Sequence, residues 1–246
     1  MLRGLYQATS AMVIAKTKQE IISGNVANAD TAGFKRQVLP EEVFAQAMLL
    51  ARLGPGSREL GDTTVKTVLA EPVTDFSQGQ LVHSDDNFHL ALHGNGFFAI
   101  LTEEGPRYTR AGDFRIDAAG FLSDAHGGRI LLDNWQPIQI KGIDFAIESD
   151  GTIMMEGGPR GRLMITDFAE PAALVKDARG QFIGDEAVPF PGTARVVQNS
   201  LERSNVDPAQ ELIDMMLVNR IFESAQRIVS TYDQLMEKAK EIGSIR

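Results

Sequence analysis

The amino-acid sequence predicts an α+β protein whose N- and C-terminal helices pair as a coiled-coil-like stalk, with a central domain that is all β. Apolar residues at both ends recur at helical spacing, and the middle of the chain has short β-prone runs separated by turn sequences. We therefore divide the 246 residues into a terminal helical assembly domain (1–36 plus 201–246), a connector (37–75) and a central β domain (76–200).

The N-terminal segment is predicted to be a helix from Leu2 to Asn28, because it contains no proline and no strand-like alternation. Its apolar positions follow at steps of three and four residues, with one polar slot at Gln19: Leu5, Ala8, Met12, Ala15, Ile22 and Val26. This spacing places them on one face of a helix. Residues 28–33, Asn-Ala-Asp-Thr-Ala-Gly, favour turns and end the helix.

The C-terminal segment opens with residues typical of a helix start. Asp207 is the predicted N-cap, Pro208 occupies the first helical position, and Gln210 completes a capping box. One apolar row then alternates steps of four and three residues, as in coiled coils: Val218, Phe222, Ala225, Val229, Tyr232, Met236 and Ala239. A second row repeats every seven residues beside it: Ile221, Ile228, Leu235 and Ile242.

The two rows make an apolar face wider than one partner helix covers. Either the second row packs on the middle domain of the same chain, or it packs against neighbouring subunits, because large apolar patches commonly mark interfaces. We also expect the terminal helices to be largely disordered in the free chain and to fold on assembly, since a helix is marginal until its apolar face is covered.

The middle of the chain is predicted to be β. Residues 88–93 alternate apolar and other side chains, which predicts a half-buried strand, and 97–101 predict a buried one. Gly94 and Gly96 are predicted to form a hairpin turn between them, and further hairpin turns are predicted at 117–121, 149–152 and 177–181. In the connector, Glu41 to Leu53 looks helical before a Gly-Pro-Gly-Ser break, and we expect a mobile segment.

Composition excludes several classes of protein. The net charge is −9, and residues 37–200 carry 13 basic and 23 acidic side chains, so a nucleic-acid-binding face is not expected. No apolar run approaches the roughly 20 residues of a membrane-spanning helix, and we expect no cleaved signal peptide. The chain has no cysteine and therefore no disulfide or thiolate metal site.

No pattern in the sequence predicts catalysis. Gly94, Gly96 and Ala99 fit the dinucleotide-binding spacing G-x-G-x-x-A, but the following residues prolong a strand where that site needs a helix. His89 and His93 would lie about 13 Å apart on a strand, too far to share a metal ion. We expect no catalytic residue, no cofactor, no metal and no small-molecule substrate.

Three segments resemble the motifs of flagellar rod, hook and hook-associated proteins. They are the N-terminal run Gly24–Lys35; the central runs Phe76–Leu81, His89–Phe98 and Tyr108–Phe114; and the C-terminal run Ser200–Asp207. Their order and their spread along the chain both match the family. His89 and His93 stand where relatives usually carry acidic residues, which puts in doubt any ion pair that the family makes there.

The resemblance implies a structural protein of the flagellar basal body whose terminal helices line a tube and whose β domain faces outward. It implies export through the flagellar secretion channel, and as partners it implies copies of this chain, other rod and hook proteins and the export apparatus. The short connector and overall length resemble the proximal rod more than the distal rod; a distal rod subunit or another hook or basal-body paralogue is the alternative within the family. The predicted assembly interface comprises Leu5, Met12, Ile22, Asn25, Val26, Asn28, Phe34, Ile221, Phe222, Ile228, Val229, Tyr232, Leu235 and Met236.

Two other hypotheses remain open at this point. The chain could be a soluble β-domain adaptor whose ends form a private two-helix stalk, or an enzyme that uses the turn at Gly94 and Gly96. Two helices that pair only within one chain do not require the second apolar row. Ile228 and Leu235 in that row therefore distinguish a private stalk from a polymerising subunit.

Overall fold

A computed structural model describes residues 2–40, 71–140, 145–155, 157–177, 179–184, 189–191 and 193–243. The helix predicted over 41–53 and the expected mobility of the connector lie outside these residues, apart from the connector's two ends.

The described residues form two α-helices, a short 3₁₀ helix at Pro171–Ala173 and eighteen strands. The helices are α1 (Leu2–Ala27) and α2 (Pro208–Gly243). The strands are β1 (Gln37–Val38), β2 (Val73–Thr74), β3 (Leu81–His83), β4 (Leu90–His93), β5 (Phe97–Thr102), β6 (Gly105–Thr109), β7 (Arg115–Ile116), β8 (Leu122–Ser123), β9 (Arg129–Ile130), β10 (Phe145–Ile147), β11 (Thr152–Met155), β12 (Gly158–Arg162), β13 (Ile165–Phe168), β14 (Val175–Lys176), β15 (Phe182–Ile183), β16 (Pro189–Pro191), β17 (Arg195–Gln198) and β18 (Ser200–Glu202).

The chain forms two compact units. Among the described residues, the first combines 2–27, 37–40, 71–75 and 207–243, and the second combines 28–36 with the described part of 76–206. Our predicted boundaries grouped 28–36 and 201–206 with the helices, whereas both segments belong to the second unit. Both are held there by contacts with β-domain residues, which are described below with the site.

In the first unit, α1 and α2 run antiparallel. Gly4 near the start of α1 lies beside Tyr232 in the second half of α2, and Asn25 near the end of α1 bonds Glu211 in the first turn of α2. Ala15, Ile22 and Val218 form the buried centre of the contact. Coiled-coil geometry for this pair stays a prediction.

The start of α2 is the helix terminus that the sequence specified most fully. Asp207 Oδ1 accepts hydrogen bonds from the backbone N–H groups of Ala209 (2.9 Å) and Gln210 (3.4 Å), so Asp207 is the N-cap. The predicted capping box is wrong, because the side-chain amide of Gln210 donates along the helix to Asp214 (3.2 Å). At the same end of the pair, α1 stops at Ala27, one residue before its predicted end.

The second unit is β-rich. Its largest sheet follows the order β14-β15-β6-β5-β9-β8-β7, with β13 paired to both β5 and β16. Strands β10, β11 and β12 form an antiparallel three-stranded sheet, while β4 pairs with β17 and β3 with β18. One buried cluster includes Leu90, Phe98 and Ile153, and a second, mainly aromatic, includes Phe97, Phe168 and Phe182. In the first unit, β1 pairs with β2.

Three predicted hairpin turns are confirmed: β7–β8, β10–β11 and β14–β15 are adjacent antiparallel pairs. Each contains an aspartate that accepts backbone N–H bonds within the turn; Asp117 Oδ1 accepts from Ala119 and Phe121, both at 2.8 Å. A fourth turn of this type, which we did not predict, joins β8 to β9 through Asp124.

The turn at Gly94 and Gly96 is not a hairpin turn. Strand β4 pairs with β17 and β5 pairs with β6, β9 and β13, so the turn carries the chain from one sheet to another. Both glycines have positive φ (104° and 143°), which suits such a corner. The half-buried strand predicted at 88–93 is also wrong in part, because Ala91 on its second face is fully buried.

Within the described residues, neither helix has a stretch apolar and long enough to span a bilayer.

Candidate functional site

The predicted assembly residues fall into three groups by exposure. Ile22 and Asn25 are buried within the helix pair, at 3% and 2% exposure. Seven others are partly buried in the first unit: Leu5, Met12, Val26, Ile221, Phe222, Val229 and Tyr232. Ile228 (37%), Leu235 (53%) and Met236 (58%) are exposed. Asn28 and Phe34 belong to the second unit.

The exposure of Met236 has a geometric cause. It belongs to the row that packs toward α1, yet α1 has 26 residues and α2 has 36, so they span about 39 Å and 54 Å. Because Gly4 lies beside Tyr232, the last turns of α2 extend beyond the start of α1. The inner row therefore loses its partner helix at its C-terminal end.

The sequence did not single out a second exposed patch at the start of α2. Leu212 and Met216 are each 56% exposed, Ile213 is 47% and Leu217 is 50%. The pairs 212/216 and 213/217 are four residues apart, so the four side chains are neighbours on the helix surface. Ile228 and Leu235 lie about three and five turns beyond Leu217 on the same side of α2, so exposed apolar residues recur along that side of the helix.

A buried polar group fixes how the end of α1 meets its neighbours. The side-chain amide of Asn25 donates to Gln37 O (2.8 Å) and accepts from Gln37 N–H (3.0 Å), so it pairs with the backbone of β1 as a strand would. It also donates to Glu211 Oε2 (3.3 Å), whose residue is 1% exposed. Apolar contacts slide easily, whereas buried hydrogen bonds that must be satisfied specify one register.

The second unit contains a buried ion cluster built from three distant segments. Glu202 Oε1 accepts from Lys35 Nζ (2.5 Å) and from Gly79 N–H (2.9 Å), and Glu202 Oε2 accepts from Arg110 Nη1 (3.3 Å). The side chains of Lys35 and Glu202 are fully buried and that of Arg110 is 5% exposed. Burial lowers the pKa of Arg110, while the charge of Glu202 raises it.

Close backbone approaches around this cluster require glycine. Gly33 N–H donates to Glu202 O (2.7 Å), and a Cβ at Gly33 would lie 2.3 Å from the backbone of Arg110. A Cβ at Gly79 would lie 1.9 Å from Arg203 O. These glycines therefore allow the 28–36 and 200–206 segments to pack directly on the β domain.

Lys176 holds the 28–36 segment from another side. Its Nζ donates to Lys35 O (2.9 Å) and lies 3.5 Å from the centroid of the Phe34 ring, a cation–π contact. Burial lowers the pKa of Lys176 to about 8, because the charged amine is partly withdrawn from water. Phe34, predicted as an assembly residue, is thus a packing partner within the chain.

The histidines of the central motif do not form a metal site. His89 Nδ1 is 2.7 Å from Ser84 Oγ, and its Nε2 is 3.9 Å from Asp86 Oδ2. Across the described part of the chain, no group of three or more histidine or acidic side chains is arranged to hold a metal ion.

Comparison with known proteins identifies the class to which this fold belongs. Residues 5–35 match the family "Flagella basal body rod protein", 91–155 match "Flagellar hook protein FlgE/F/G D1 domain", and 197–242 match "Flagellar basal body rod FlgEFG protein C-terminal". Each matched segment contributes one charged side chain of the buried cluster, namely Lys35, Arg110 and Glu202.

Relatives that align over nearly their whole length point to the same class of protein. The chain is 30% identical over 265 residues to the flagellar basal-body rod protein FlgG of Bacillus subtilis, covering 97% of this chain and 98% of that one. It is 29% identical over 274 residues to the flagellar hook-basal body complex protein FlhO of B. subtilis, and the alignment covers all of both chains. It is 28% identical over 247 residues to the flagellar basal-body rod protein FlgF of Caulobacter vibrioides, and the alignment covers 98% of each chain. The chain belongs to the flagellar basal-body rod protein family, a family of structural proteins.

Proposed function

We propose that this chain is a structural subunit of the bacterial flagellar rod, polymerising through its terminal helices into the tubular axle that transmits torque and encloses the export channel. The observation that carries the proposal is the uncovered apolar side of α2, where Ile228 and Leu235 remain exposed in the folded chain. A helix that keeps large apolar side chains in water gains stability when another molecule covers them.

The free energy available from this burial is comparable to the cost of association. Fully burying one Leu, Ile or Met side chain contributes about 1.5–3 kcal/mol, so a side chain already half covered contributes roughly 1 kcal/mol more. Seven such side chains on α2 are exposed by 37–58%: Leu212, Ile213, Met216, Leu217, Ile228, Leu235 and Met236. Their combined burial, on the order of 7 kcal/mol, falls within the cost of bringing two molecules together, about 4–15 kcal/mol. Polymerisation therefore needs several contacts per subunit, as a tube provides.

The remaining parts of the proposal follow from the family. Copies of this chain and other rod and hook proteins are its partners, and it lies in the basal body within the cell envelope. It reaches that place through the flagellar export apparatus without a cleaved signal. It performs no catalysis and requires no cofactor.

Within the rod, we place the chain in the proximal segment, like FlgF. The alignment to FlgF of C. vibrioides spans 247 residues at 98% coverage of both chains, whereas that to FlgG of B. subtilis spans 265 residues and therefore contains more gaps. Identity favours the opposite choice, 30% against 28%, so this part of the proposal depends on the smaller number of gaps in the alignment to FlgF. Subunits that reach the growing end through the tube assemble from the base outward. Basal bodies from cells that lack the FlgG-type paralogue should therefore still contain this chain, and its absence from them would place it in the distal rod.

Acidic substitutions on the apolar side of α2 test the proposal. Ile228→Glu together with Leu235→Glu should abolish motility and remove the chain from purified basal bodies, because burying uncompensated carboxylates costs more than the contact provides. The matched control is Gln226→Glu with Ser230→Glu, two exposed polar positions on other sides of the same helix, with Gln226 nine residues, or two and a half turns, from Leu235. The control variant should swim. A loss of β-domain folding in the first variant, or equal motility of the two, would favour the private-stalk interpretation.

A further inference from the structure

Two segments of the second unit, residues 28–36 and 200–206, are bonded directly to each other. The hydrogen bonds between them join residues that are 167–173 positions apart in the sequence. They include Gly33 N–H to Glu202 O (2.7 Å), Lys35 Nζ to Glu202 Oε1 (2.5 Å), Arg36 N–H to Asn205 Oδ1 (2.7 Å) and Arg203 Nη2 to Asp30 Oδ1 (3.2 Å). We call the two segments, with these contacts, the junction.

The junction is also attached to the chain that enters the β domain. Lys35 Nζ and Asn205 Nδ2 share one acceptor there, Ser77 O, at 2.7 and 3.2 Å. Asn205 Nδ2 also donates to Ser77 Oγ (3.0 Å), and Arg203 N–H donates to Gln80 O (2.9 Å). Both segments of the junction therefore pack on the same stretch of the second unit.

The junction lies between the two helices in the sequence. Its first segment begins directly after Ala27, the last residue of α1, and its second segment ends directly before Asp207, the N-cap of α2. The end of α1 and the start of α2 are about 180 positions apart, and the entropic cost of closing a chain loop rises with its length. The junction closes this loop through contacts of the second unit alone.

The contacts of the junction do not depend on either helix. Those named above lie within the second unit, and they include the fully buried pair of Lys35 and Glu202. Separating a buried ion pair leaves two charges without their partner, so opening the junction is strongly unfavourable. The junction should therefore be as stable as the β domain to which it is attached.

We propose that the junction stays formed in the free chain and holds the end of α1 beside the start of α2, so that the helix pair forms from a preset base. The bond between Asn25 and Glu211 (3.3 Å) shows that these two helix ends do meet. This inference concerns the free chain and goes beyond the proposed function; only its consequence for assembly rests on that function.

Amide hydrogen exchange of the free, full-length chain tests whether the junction forms before assembly. The amides of Gly33 and Arg203 report on the junction, and that of Leu131, which donates to Ala99 O (2.9 Å), reports on the β core. We expect the two junction amides to exchange within about tenfold of the Leu131 rate, because they open with the same cooperative unit. Junction amides that exchange as fast as those of an unstructured peptide would overturn the inference.

A matched pair of substitutions tests the consequence for assembly. Asn205→Ala removes the acceptor of Arg36 N–H and the donor to Ser77. The control, Asn134→Ala, removes a bond of the same kind, from Gln136 N–H to Asn134 Oδ1 (3.1 Å), at an exposed turn outside the junction. Each variant is expressed together with a differently tagged unsubstituted chain, and the ratio of the two is measured in purified basal bodies. Asn205→Ala should be depleted about five- to tenfold relative to the control, the effect of roughly one hydrogen bond.

The outcomes separate this inference from the proposed function. Equal incorporation of the two variants would overturn the role of the junction in assembly and leave the rod proposal intact. Absence of the unsubstituted chain from basal bodies would overturn the rod proposal, and the exchange rates of Gly33 and Arg203 would still decide whether the junction is formed in the free chain.

Discussion

The buried carboxylate of Glu202 should be the most sensitive charged group of the second unit. It is fully buried and accepts hydrogen bonds from Lys35, Arg110 and Gly79. Glu202→Gln keeps the shape of the side chain but removes its negative charge, which leaves two buried cations without their counter-ion. Breaking a buried ion pair in this way costs about 3–5 kcal/mol, a large part of the 5–15 kcal/mol that stabilises a typical domain.

The chain offers a direct assay for this loss. Its single tryptophan, Trp135, lies in the second unit, so tryptophan fluorescence during urea unfolding follows that unit. We expect Glu202→Gln to lower the free energy of unfolding by about 3–5 kcal/mol, whereas Glu103→Gln at an exposed turn should change it by no more than about 0.5 kcal/mol. Lys35→Met combined with Glu202→Gln should cost less than the sum of the two single changes, because the pair is lost only once. Equal stability of Glu202→Gln and the unsubstituted chain would refute the reasoning that Lys35 and Arg110 depend on the charge of Glu202.

Three further predictions concern one buried cation and two glycines. Burial lowers the pKa of Lys176 from 10.5 to about 8, so the unfolded chain binds more protons than the folded chain between these pH values. The free energy of unfolding should therefore rise as the pH increases from about 8 to 10.5. Urea titrations at pH 7.5 and 10.5 should show that Lys176→Gln removes that part of the rise. Gly24 lies in a helix and has no atom within 4 Å of an added Cβ, so Gly24→Ala should stabilise α1 by about 1 kcal/mol in a melt followed by circular dichroism. Gly112→Ala should instead unfold the β domain, because its Cβ would lie 1.6 Å from Leu90 O. A Gly112→Ala variant of unchanged stability would contradict the structure there.

Features encoded by neighbouring residues could be predicted from the sequence. The start of α2 depends on Asp207 and Pro208, the end of α1 on a short run of turn-forming residues, and three hairpins on an aspartate followed by glycine. Each of these signals acts within about four residues, and each was found where expected. For the second apolar row on α2 the sequence left two packings open; in the structure Ile228 and Leu235 of that row are exposed and Ile221 is partly buried.

Features that depend on distant pairing could not be predicted. Whether Gly94 and Gly96 form a hairpin turn depends on which strand β4 meets, and that strand, β17, is about a hundred residues further along the chain. The ion cluster joins Lys35, Arg110 and Glu202, and nothing local indicates that they meet. The signal that could have found it is indirect: in the N-terminal and central motifs, Lys35 and Arg110 lie two residues from Gly33 and Gly112, glycines that permit close backbone approach.

The exposed apolar residues at the start of α2 show a different limit of prediction from sequence. Ile213 and Leu217 carry an ordinary helical spacing, which predicts that one face is apolar but not whether the same chain covers it. Coverage depends on where α1 lies, and α1 packs on the face that carries Val218.

The central claim is that α2 keeps an apolar side in the free chain which neighbouring molecules cover in the rod. The most direct measurement is the rate at which a water-soluble maleimide modifies Leu235→Cys, first in the purified free chain and then in intact basal bodies. The account predicts rapid modification of the free chain, as expected for a side chain 53% exposed, and strong protection in the basal body. Equal rates in the two states would contradict it.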